Sequence, residues 1–260
     1  MSAIATETAP VVTAKPSADP IIRCAGLQKW YGAVHALKDV DFHAERGEVI
    51  GLVGDNGAGK STLIKILSGV HTQDQGRIFI EGREVSITGP EVAMSLGIET
   101  IYQYTAMVPE MTIAQNFFIG REPLKFGRPG FGVVDRDKMR RESMEGLRGV
   151  GLHLRGPDTP VKALSGGQRQ GVAIARAMHF RSKVLILDEP TNHLSVKETN
   201  KVLDHVVELK GQGVTSIFIS HNLHHIHPIS DRIVAMARGQ KVLDVPRDEV
   251  SVEEMTRIIS

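Results

Sequence analysis

The sequence predicts an α/β fold built on a largely parallel sheet, and three observations lead to this prediction. Short apolar runs of strand length alternate with stretches of helical pattern along the chain. A glycine-rich phosphate-binding motif separates one apolar run, Val49–Val53, from a helical stretch. Another run, Val184–Leu187, ends in two adjacent carboxylates, and ligands of open α/β sheets bind at that end of a strand. The chain has 260 residues, 41% of them hydrophobic, which is enough for a sizeable core.

Taken in order, the apolar runs and the helical patterns define the individual elements. The predicted strands are Ile21–Cys24, Val49–Val53, Arg77–Ile80, Thr100–Tyr102, Val184–Leu187, Thr215–Ser220, Arg232–Ala237 and Gln240–Asp244. The predicted helices are Lys60–Ser68, Pro90–Leu96, Ile113–Ile119, Arg136–Val150, Gly167–His179, Lys197–Lys210 and Val252–Ile259. Residues 104 to 165 hold helical patterns but no convincing strand, so we predict a helical insertion there. Residues 1 to 20 can bury little and are predicted to be a disordered tail, which leaves one domain over residues 21 to 260.

Composition and charge narrow the class of protein. The 31 basic and 30 acidic side chains give a net charge of +1, so there is no general electrostatic case for nucleic acid or an anionic membrane surface. Cys24 is the single cysteine, which excludes an intramolecular disulfide and is consistent with a reducing compartment. No apolar run approaches the roughly 20 residues that span a bilayer, and the first residues lack the pattern of a secretory signal. We expect a cytoplasmic protein that reaches a membrane only through a partner.

The phosphate-binding motif has the form G-x-x-x-x-G-K-[ST]. Glycines let the backbone form a concave nest of N–H groups, and the helix that follows directs its positive end toward the same place. Lys60 can reach the β- and γ-phosphate oxygens, and the hydroxyl of Ser61 can bind Mg²⁺. The candidate phosphate-binding residues are Gly54, Asp55, Asn56, Gly57, Ala58, Gly59, Lys60, Ser61 and Thr62.

The two carboxylates after Leu187 suit the chemistry of phosphoryl transfer. Asp188 can hold the Mg²⁺ shell, as the acidic residue at this place does in P-loop ATPases. Glu189 is then placed to polarise an attacking water as general base. The motifs therefore predict cleavage of a nucleoside triphosphate by positioning and electrostatics.

A third motif reads Leu164-Ser165-Gly166-Gly167-Gln168 and precedes a helical stretch. A serine and two glycines at a helix N-terminus form a second anion-binding nest. Lying between the phosphate loop and the Asp188-Glu189 pair, this LSGGQ sequence resembles the signature of the ATP-binding cassette (ABC) ATPases. The resemblance covers about residues 21 to 245. It implies a P-loop NTPase cassette with a mainly parallel core sheet, an antiparallel β subdomain and a helical insertion.

The resemblance also implies roles for single residues. Tyr31 matches the aromatic residue that stacks on adenine, although packing of Trp30 or Tyr31 in the core is the alternative. Gln103 matches the glutamine that senses Mg²⁺ and the attacking water, and His221 matches the histidine that contacts the γ-phosphate. The nest of Ser165, Gly166, Gly167 and Gln168 would cap the γ-phosphate held by the opposite subunit, so two ATP molecules lie in a head-to-tail pair of chains.

Two positions leave questions for the structure. Most cassettes carry an aspartate in the loop after Thr191 that crosses to the partner, whereas this chain has Ser195 in that place. Separately, His221, His224 and His225 could share a helical face with His227 close by, which raises a zinc hypothesis. The absence of a nearby cysteine and the match of His221 to the cassette family speak against zinc.

Three strings resemble the carbohydrate-import branch of the family: Tyr102-Gln103 leading to Val108–Thr112, Ile119-Gly120-Arg121-Glu122, and Val134-Asp135-Arg136. With one cassette in the chain, the resemblance is to single-cassette fructose or ribose-type importers. It implies a homodimer on the cytoplasmic side of the cell membrane, beneath two permease subunits and served indirectly by a periplasmic sugar-binding protein. The alternatives are a soluble cassette ATPase acting on ribosomes or DNA, an exporter cassette, or a non-hydrolysing regulatory subunit, against which Glu189 and His221 argue.

Overall fold

The parallel sheet that carries the nucleotide-binding motifs lies at the centre of the molecule. A computed structural model describes residues 19–102, 107–128, 131–192 and 194–259. Its largest sheet has six strands in the order β12-β11-β3-β10-β9-β6, all parallel to their neighbours except β12, which runs antiparallel to β11. These strands are β3 (Val49–Val53), β6 (Ile98–Ile101), β9 (Val184–Asp188), β10 (Thr215–Ile219), β11 (Arg232–Ala237) and β12 (Gln240–Pro246). The predicted α/β fold with a mainly parallel sheet is confirmed.

A second, antiparallel sheet packs over one side of the molecule. Its order is β2-β1-β4-β5, with β1 (Ile22–Tyr31), β2 (Val34–Ala44), β4 (Gln75–Ile80) and β5 (Arg83–Val85). The antiparallel subdomain implied by the family resemblance is therefore present. Strands β2 and β5 were not predicted, and β1 is much longer than the predicted Ile21–Cys24. Register shifts after Cys24, Leu27 and Lys29 interrupt the pairing of β1 with β2, which blurs the two-residue alternation that marks a strand.

Eight α-helices are found in the described parts of the chain, and seven of them match predicted helices to within a few residues at each end. They are α1 (Lys60–Leu67), α2 (Pro90–Ser95), α3 (Ile113–Phe118), α4 (Arg136–Gly149), α5 (Gly166–His179), α6 (Val196–Gly211), α7 (Leu223–Ile226) and α8 (Val252–Ile259). Helices α3, α5 and α6 each begin with a capping box, in which a Ser or Thr side chain and a Glu or Gln three residues later satisfy each other's backbone N–H groups. None of the helices in these parts of the chain has the length and apolar character needed to cross a membrane.

One expectation for residues 104 to 165 is wrong. A two-stranded hairpin, β7 (Leu124–Arg128) and β8 (Phe131–Val134), lies in the segment that was predicted to hold no strand. Phe126 pairs with Val133, but their side chains are 75% and 61% exposed. Because these paired apolar side chains are exposed, and glycines interrupt both short strands, the sequence gives only a weak strand signal. Helix α4 packs against α3, which lies in the same segment, and against α5, which follows it.

Two hydrophobic clusters cover the two faces of the parallel sheet. Val49 and Val53 of β3 belong to the cluster that also holds the apolar faces of α5 and α6, whereas Ile50 and Leu52 pack with α1 and the antiparallel sheet. Because both faces are covered, the central strands are continuously apolar rather than alternating. The carboxyl ends of these strands are fixed by this packing, and they position the candidate site. The predicted tail lies outside the described residues apart from Asp19 and Pro20.

Candidate nucleotide-binding site

The phosphate loop joins the end of β3 to the start of α1. Gly54, Gly57 and Gly59 have φ angles of +143°, +84° and +105°, which residues other than glycine rarely adopt. A Cβ atom on Gly54 would lie 2.2 Å from the carbonyl oxygen of Met236, and one on Gly59 would lie 2.9 Å from that of Ala36. The motif glycines are therefore required by backbone conformation and by the close approach of two other strands.

Lys60 folds back across the loop. Its ammonium group donates hydrogen bonds to the carbonyl oxygens of Gly54 (2.5 Å) and Asp55 (3.0 Å). Burial lowers the pKa of Lys60, while the nearby carboxylates of Glu189 and Asp188 oppose that shift. The cation thus faces the two carboxylates across the position that a triphosphate would take.

Asp188 and Glu189 lie at the carboxyl end of β9 with different surroundings. Burial raises the pKa of Asp188, with a further contribution from the charge of Glu189, and Lys60 acts in the opposite sense. A half-buried carboxylate with too little positive charge around it, near the hydroxyl-bearing start of α1, is an oxygen donor set that suits Mg²⁺. The chemistry of Ser61 and Asp188 therefore fits the predicted metal.

Glu189 is held by its own backbone and by the segment after β10. Its φ angle is +51°, its N–H donates to the carbonyl oxygen of Ile219 (2.9 Å), and its carboxylate accepts from the backbone N–H of His221 (3.0 Å). The Nδ1 atom of His221 lies 3.0 Å from one carboxylate oxygen and 3.1 Å from the other. The side chain of Glu189 is 14% exposed and that of His221 is 71% exposed. The structure thus places the predicted base and histidine together, with the imidazole open to solvent.

The histidines after β10 do not form a zinc site. The ring nitrogens of His225 contact Thr191 Oγ1 (3.2 Å) and Asn222 Nδ2 (3.1 Å), and His227 Nε2 contacts the carbonyl oxygen of Val250 (2.8 Å). No group of three or more His, Cys, Asp or Glu side chains among the described residues could hold a metal ion. The rings of His225 and His227 are used in separate local contacts, and the described residues give the zinc hypothesis no support.

A cavity of about 550 Å³ extends from the phosphate loop to Tyr31, with part of β2 and the turn after β11 in its wall. Tyr31 is 40% exposed, meets His71 edge to face at 5.5 Å between ring centroids, and has the ammonium group of Lys29 over its ring at 5.8 Å. Trp30 instead stacks on His35 at 4.1 Å. The cavity suits a nucleotide with its base beside Tyr31, as the family resemblance implies.

Sequence reasoning missed two cations that line this cavity, Lys38 and Arg238. They come from β2 and from the turn between β11 and β12, both distant in sequence from the phosphate loop. The backbone of the turn bonds on two sides: Gly239 N–H donates to the carbonyl oxygen of Ala58 (3.0 Å), and Lys38 N–H donates to that of Gly239 (2.8 Å). A basic residue in a glycine turn was the only signal, and without the fold it points to no site.

The signature nest is well formed but lies elsewhere on the chain. Ser165 caps α5: its hydroxyl accepts from Gln168 N–H (3.3 Å), and its own N–H donates to the side-chain oxygen of Gln168 (2.9 Å). Ser165, Gly167 and Gln168 line a cavity that shares no residue with the one at the phosphate loop. Gln103 lies outside the described residues. One chain thus brings together Lys60, Asp188, Glu189 and His221, but not the signature nest.

Comparison with known proteins shows which family carries this combination of phosphate loop, carboxylate pair and signature nest. A family model described as ABC transporter matches residues 37–192, well over half of the chain. The chain belongs to the ABC transporter family. This ABC chain is 43% identical over 234 residues to the fructose import ATP-binding protein FrcA of Rhizobium meliloti, a match that covers 88% of this chain and 90% of that protein. It is 40% identical to the xylose/arabinose import ATP-binding protein XylG of Sulfolobus acidocaldarius, with 92% and 94% covered.

One longer relative and two solved structures are also similar to the ABC chain. The ribose import ATP-binding protein RbsA 1 of Streptomyces avermitilis is 41% identical, and the match covers 94% of this chain but only 45% of that protein. A crystal structure of a nucleotide-free ATP-binding cassette superimposes with a TM-score of 0.79 at 26% identity, covering 92% of this chain and 95% of the other. A cassette in its ADP conformation gives a TM-score of 0.78 at 26% identity, with 92% and 94% covered. The fold assigned from the motifs is therefore confirmed.

Proposed function

We propose that this ABC chain is the ATP-hydrolysing subunit of an importer that takes up a monosaccharide. The observation that carries the proposal is the convergence of Lys60, Asp188, Glu189 and His221 at the carboxyl ends of β3, β9 and β10. The convergence supports hydrolysis, and the names of the similar import proteins support import of a sugar.

ATP binds with its adenine beside Tyr31 and its phosphates in the loop from Gly54 to Thr62. Lys60 leaves the carbonyl oxygens of Gly54 and Asp55 and pairs with the β- and γ-phosphates. Ser61 and Asp188 hold Mg²⁺, which supplies positive charge to the phosphate oxygens. The contact of Gln103 with the metal and the attacking water is part of the same proposal.

Hydrolysis requires that a water molecule be oriented toward the γ-phosphorus. Glu189 accepts a proton from this water as it attacks, and the bond from the γ-phosphorus to the bridging oxygen breaks. His221 has its Nδ1 atom against Glu189, so its Nε2 atom is the one that can reach a γ-phosphate oxygen. Holding two groups on one imidazole couples recognition of the γ-phosphate to the position of the base.

A second copy of the chain completes the site. The nest at Ser165 belongs to a different cavity from the phosphate loop of the same chain, so another molecule must bring its own nest to the γ-phosphate. In a head-to-tail pair, each of two ATP molecules lies between the loop of one copy and the nest of the other. ATP thus favours the closed pair over the open chains, and hydrolysis removes that preference.

Coupling to transport takes place through the segment from about 104 to 165, the proposed helical subdomain of a domain that covers 21 to 260. This segment contacts membrane-spanning permease subunits, with the chain on the cytoplasmic side. A periplasmic binding protein delivers the sugar, which touches no residue of this chain. Fructose, xylose, arabinose and ribose appear in the names of the relatives, and they define the class of solute.

The decisive experiment uses Glu189→Gln, which keeps the shape of the side chain but cannot accept the proton. We expect ATP hydrolysis, measured with the permease present, to fall by about 10²- to 10⁴-fold, the typical contribution of a general base. The variant should still bind ATP and should accumulate as a pair of chains in Mg·ATP, seen by analytical ultracentrifugation.

The control is Glu253→Gln in α8, a carboxylate in the first turn of a helix distant in sequence from the motifs. It should hydrolyse ATP like the parent chain. If Glu189→Gln turns over at the parent rate, or if it fails to pair in Mg·ATP, the proposed function is wrong.

A further inference from the structure

A carboxylate of the same chain occupies the signature nest. One oxygen of Glu198, Oε1, accepts a hydrogen bond from the hydroxyl of Ser165 (2.7 Å) and another from the N–H of Gly167 (3.2 Å). A Cβ atom on Gly167 would lie 2.8 Å from the Cβ and Cγ atoms of Glu198, so the glycine is needed for this approach. The nest at the start of α5 therefore already holds an anionic group when the chain is alone.

The other oxygen of Glu198 reaches the segment just before α6. Oε2 accepts from the N–H of Ser195 (3.1 Å) and from its hydroxyl (2.9 Å). Ser195 is the residue that stands where most cassettes carry an aspartate, in the loop implied to cross to the partner. A single carboxylate thus links the signature nest to that loop.

This contact competes directly with a phosphate. A serine hydroxyl has one proton to donate, and that of Ser165 is directed to Glu198. The hydrogen bond from the Ser165 side chain, followed by those from the backbone and side chain of Ser195, lowers the pKa of Glu198 to about 2. The carboxylate is ionised at neutral pH, and the lowered pKa reflects how well the nest accommodates its charge, so an incoming γ-phosphate would meet a like charge as well as occupied donors.

We propose that Glu198 is a positioning residue that holds the place of the partner's γ-phosphate in the unpaired chain and sets the ATP concentration at which two chains close. This inference rests on the proposed function, since it assumes that the nest binds ATP of a second copy. When ATP arrives, Glu198 leaves the nest and releases Ser195. The cavity at the nest, of about 360 Å³, is lined by Glu198 itself and by Lys197 and Lys201, so two cations are close to the displaced carboxylate.

The test compares Glu198→Gln with its parent, both in the Glu189→Gln background, where pairing is not reversed by hydrolysis. Glutamine keeps the size and an acceptor oxygen but removes the charge, and hydrogen bonds to charged groups are roughly twice as strong as neutral ones. We expect the Mg·ATP concentration for half-maximal pairing to fall by about tenfold, because the pair contains two nests. ADP, which lacks the γ-phosphate, should bind the unpaired variant and its parent with the same affinity.

Glu254→Gln is the matched control, because Glu254 forms the same capping arrangement with Ser251 at the start of α8. It neutralises the carboxylate of an equivalent helix cap and should leave the pairing concentration unchanged, which separates charge competition at the nest from a change in cap strength. If Glu198→Gln pairs at the parent's ATP concentration, or needs more ATP, the proposal is wrong and Glu198 only shapes the nest. If the Glu189→Gln parent does not pair at all, the proposed function fails first.

Discussion

At the scale of single residues, the nucleotide-binding side chains are poorly satisfied before ligand arrives. Asp188 is half-buried beside Glu189, and burial and the neighbouring charge both raise its pKa. Lys60 and Lys65 oppose this shift, and the ammonium group of Lys60 is hydrogen-bonded to its own loop. The chain therefore carries an electrostatic cost at this site, which the proposed Mg²⁺ would relieve.

Replacing Asp188 with Asn should expose this cost. The folded state disfavours the ionised carboxylate, so Asp188→Asn should raise the midpoint of thermal unfolding of the nucleotide-free chain by roughly 2 °C, about 1 kcal/mol for a chain of this size. The same variant should lose Mg²⁺-dependent hydrolysis. Calorimetry without nucleotide measures the first effect and phosphate release measures the second.

The difference in unfolding midpoint between Asp188→Asn and the parent chain should also depend on pH. A raised pKa means that the penalty is fully present above the folded pKa and disappears as the pH falls toward the ordinary value of 3.8. The difference in unfolding midpoint between Asp188→Asn and the parent chain should accordingly shrink on acidification. If the unfolding midpoint of Asp188→Asn instead rises relative to that of the parent at low pH, Asp188 stabilises the nucleotide-free chain.

At the scale of elements, burial decides how much the sequence reveals. Strands β3, β9 and β10 were predicted within a residue or two because both of their faces are buried and their sequences are uninterrupted apolar runs. Strand β2 escaped prediction because Lys38 and Asp39 lie side by side between the buried Leu37 and Val40, which breaks the two-residue alternation, and Asp39 has a φ of +54°. In the hairpin of β7 and β8, Phe126 and Val133 are exposed, so burial gives the sequence no comparable signal there.

The residues of the candidate site also differ in how far the sequence reveals them. Lys60, Ser61, Asp188 and Glu189 could be located from sequence because their motifs lie within a few residues of a buried strand end. The contact of Glu198 with Ser165 could not, since it depends on how α5 and α6 pack together. The Ser195-x-x-Glu198 sequence fits a capping box, but only the tertiary structure shows that the same carboxylate reaches a second helix.

The phosphate loop as an element should tolerate no side chain at Gly54. An alanine there would combine a φ of +143° with a Cβ only 2.2 Å from the Met236 carbonyl oxygen. We expect Gly54→Ala to lower the free energy of unfolding by about 2 kcal/mol or more, as strained backbone and overpacking do. ATP binding should be lost with it, because the nest cannot keep its shape.

Gly149, at the end of α4, is the matched control. No atom lies within 4 Å of the position that its Cβ would take. Gly149→Ala should raise the free energy of unfolding by roughly 0.5 to 1 kcal/mol through the better helix propensity of alanine. Chemical denaturation measures both variants, and equal stabilities for the two would contradict the role given to the loop backbone.

At the scale of the whole molecule, one buried arginine joins the two sheets. Arg232 of β11 donates to Asp244 of β12 (2.5 Å), to Glu48 just before β3 (2.6 Å) and to the carbonyl oxygen of His43 in β2 (2.7 Å). Its side chain is 6% exposed, and that of Asp244 is fully buried. The network ties the antiparallel sheet, which carries Tyr31, to the parallel sheet, which carries Asp188 and the proposed base Glu189.

Arg232→Met should therefore weaken the molecule far more than loss of a surface charge. The substitution keeps an apolar stem but leaves Asp244 with Lys241 as its remaining close cation, at 2.8 Å, and leaves the His43 carbonyl without this donor. Removing one partner of a buried ion pair costs about 3–5 kcal/mol, so urea unfolding should show a loss of that size. Arg247→Met, which removes an exposed pair with Asp248, should change stability by less than about 1 kcal/mol.

Arg232→Met should also weaken ATP binding without denaturant, where the chain stays folded, because Tyr31 and Glu189 lie on opposite sides of this joint. Unchanged ATP affinity would mean that the two sheets hold the nucleotide cavity together without the arginine.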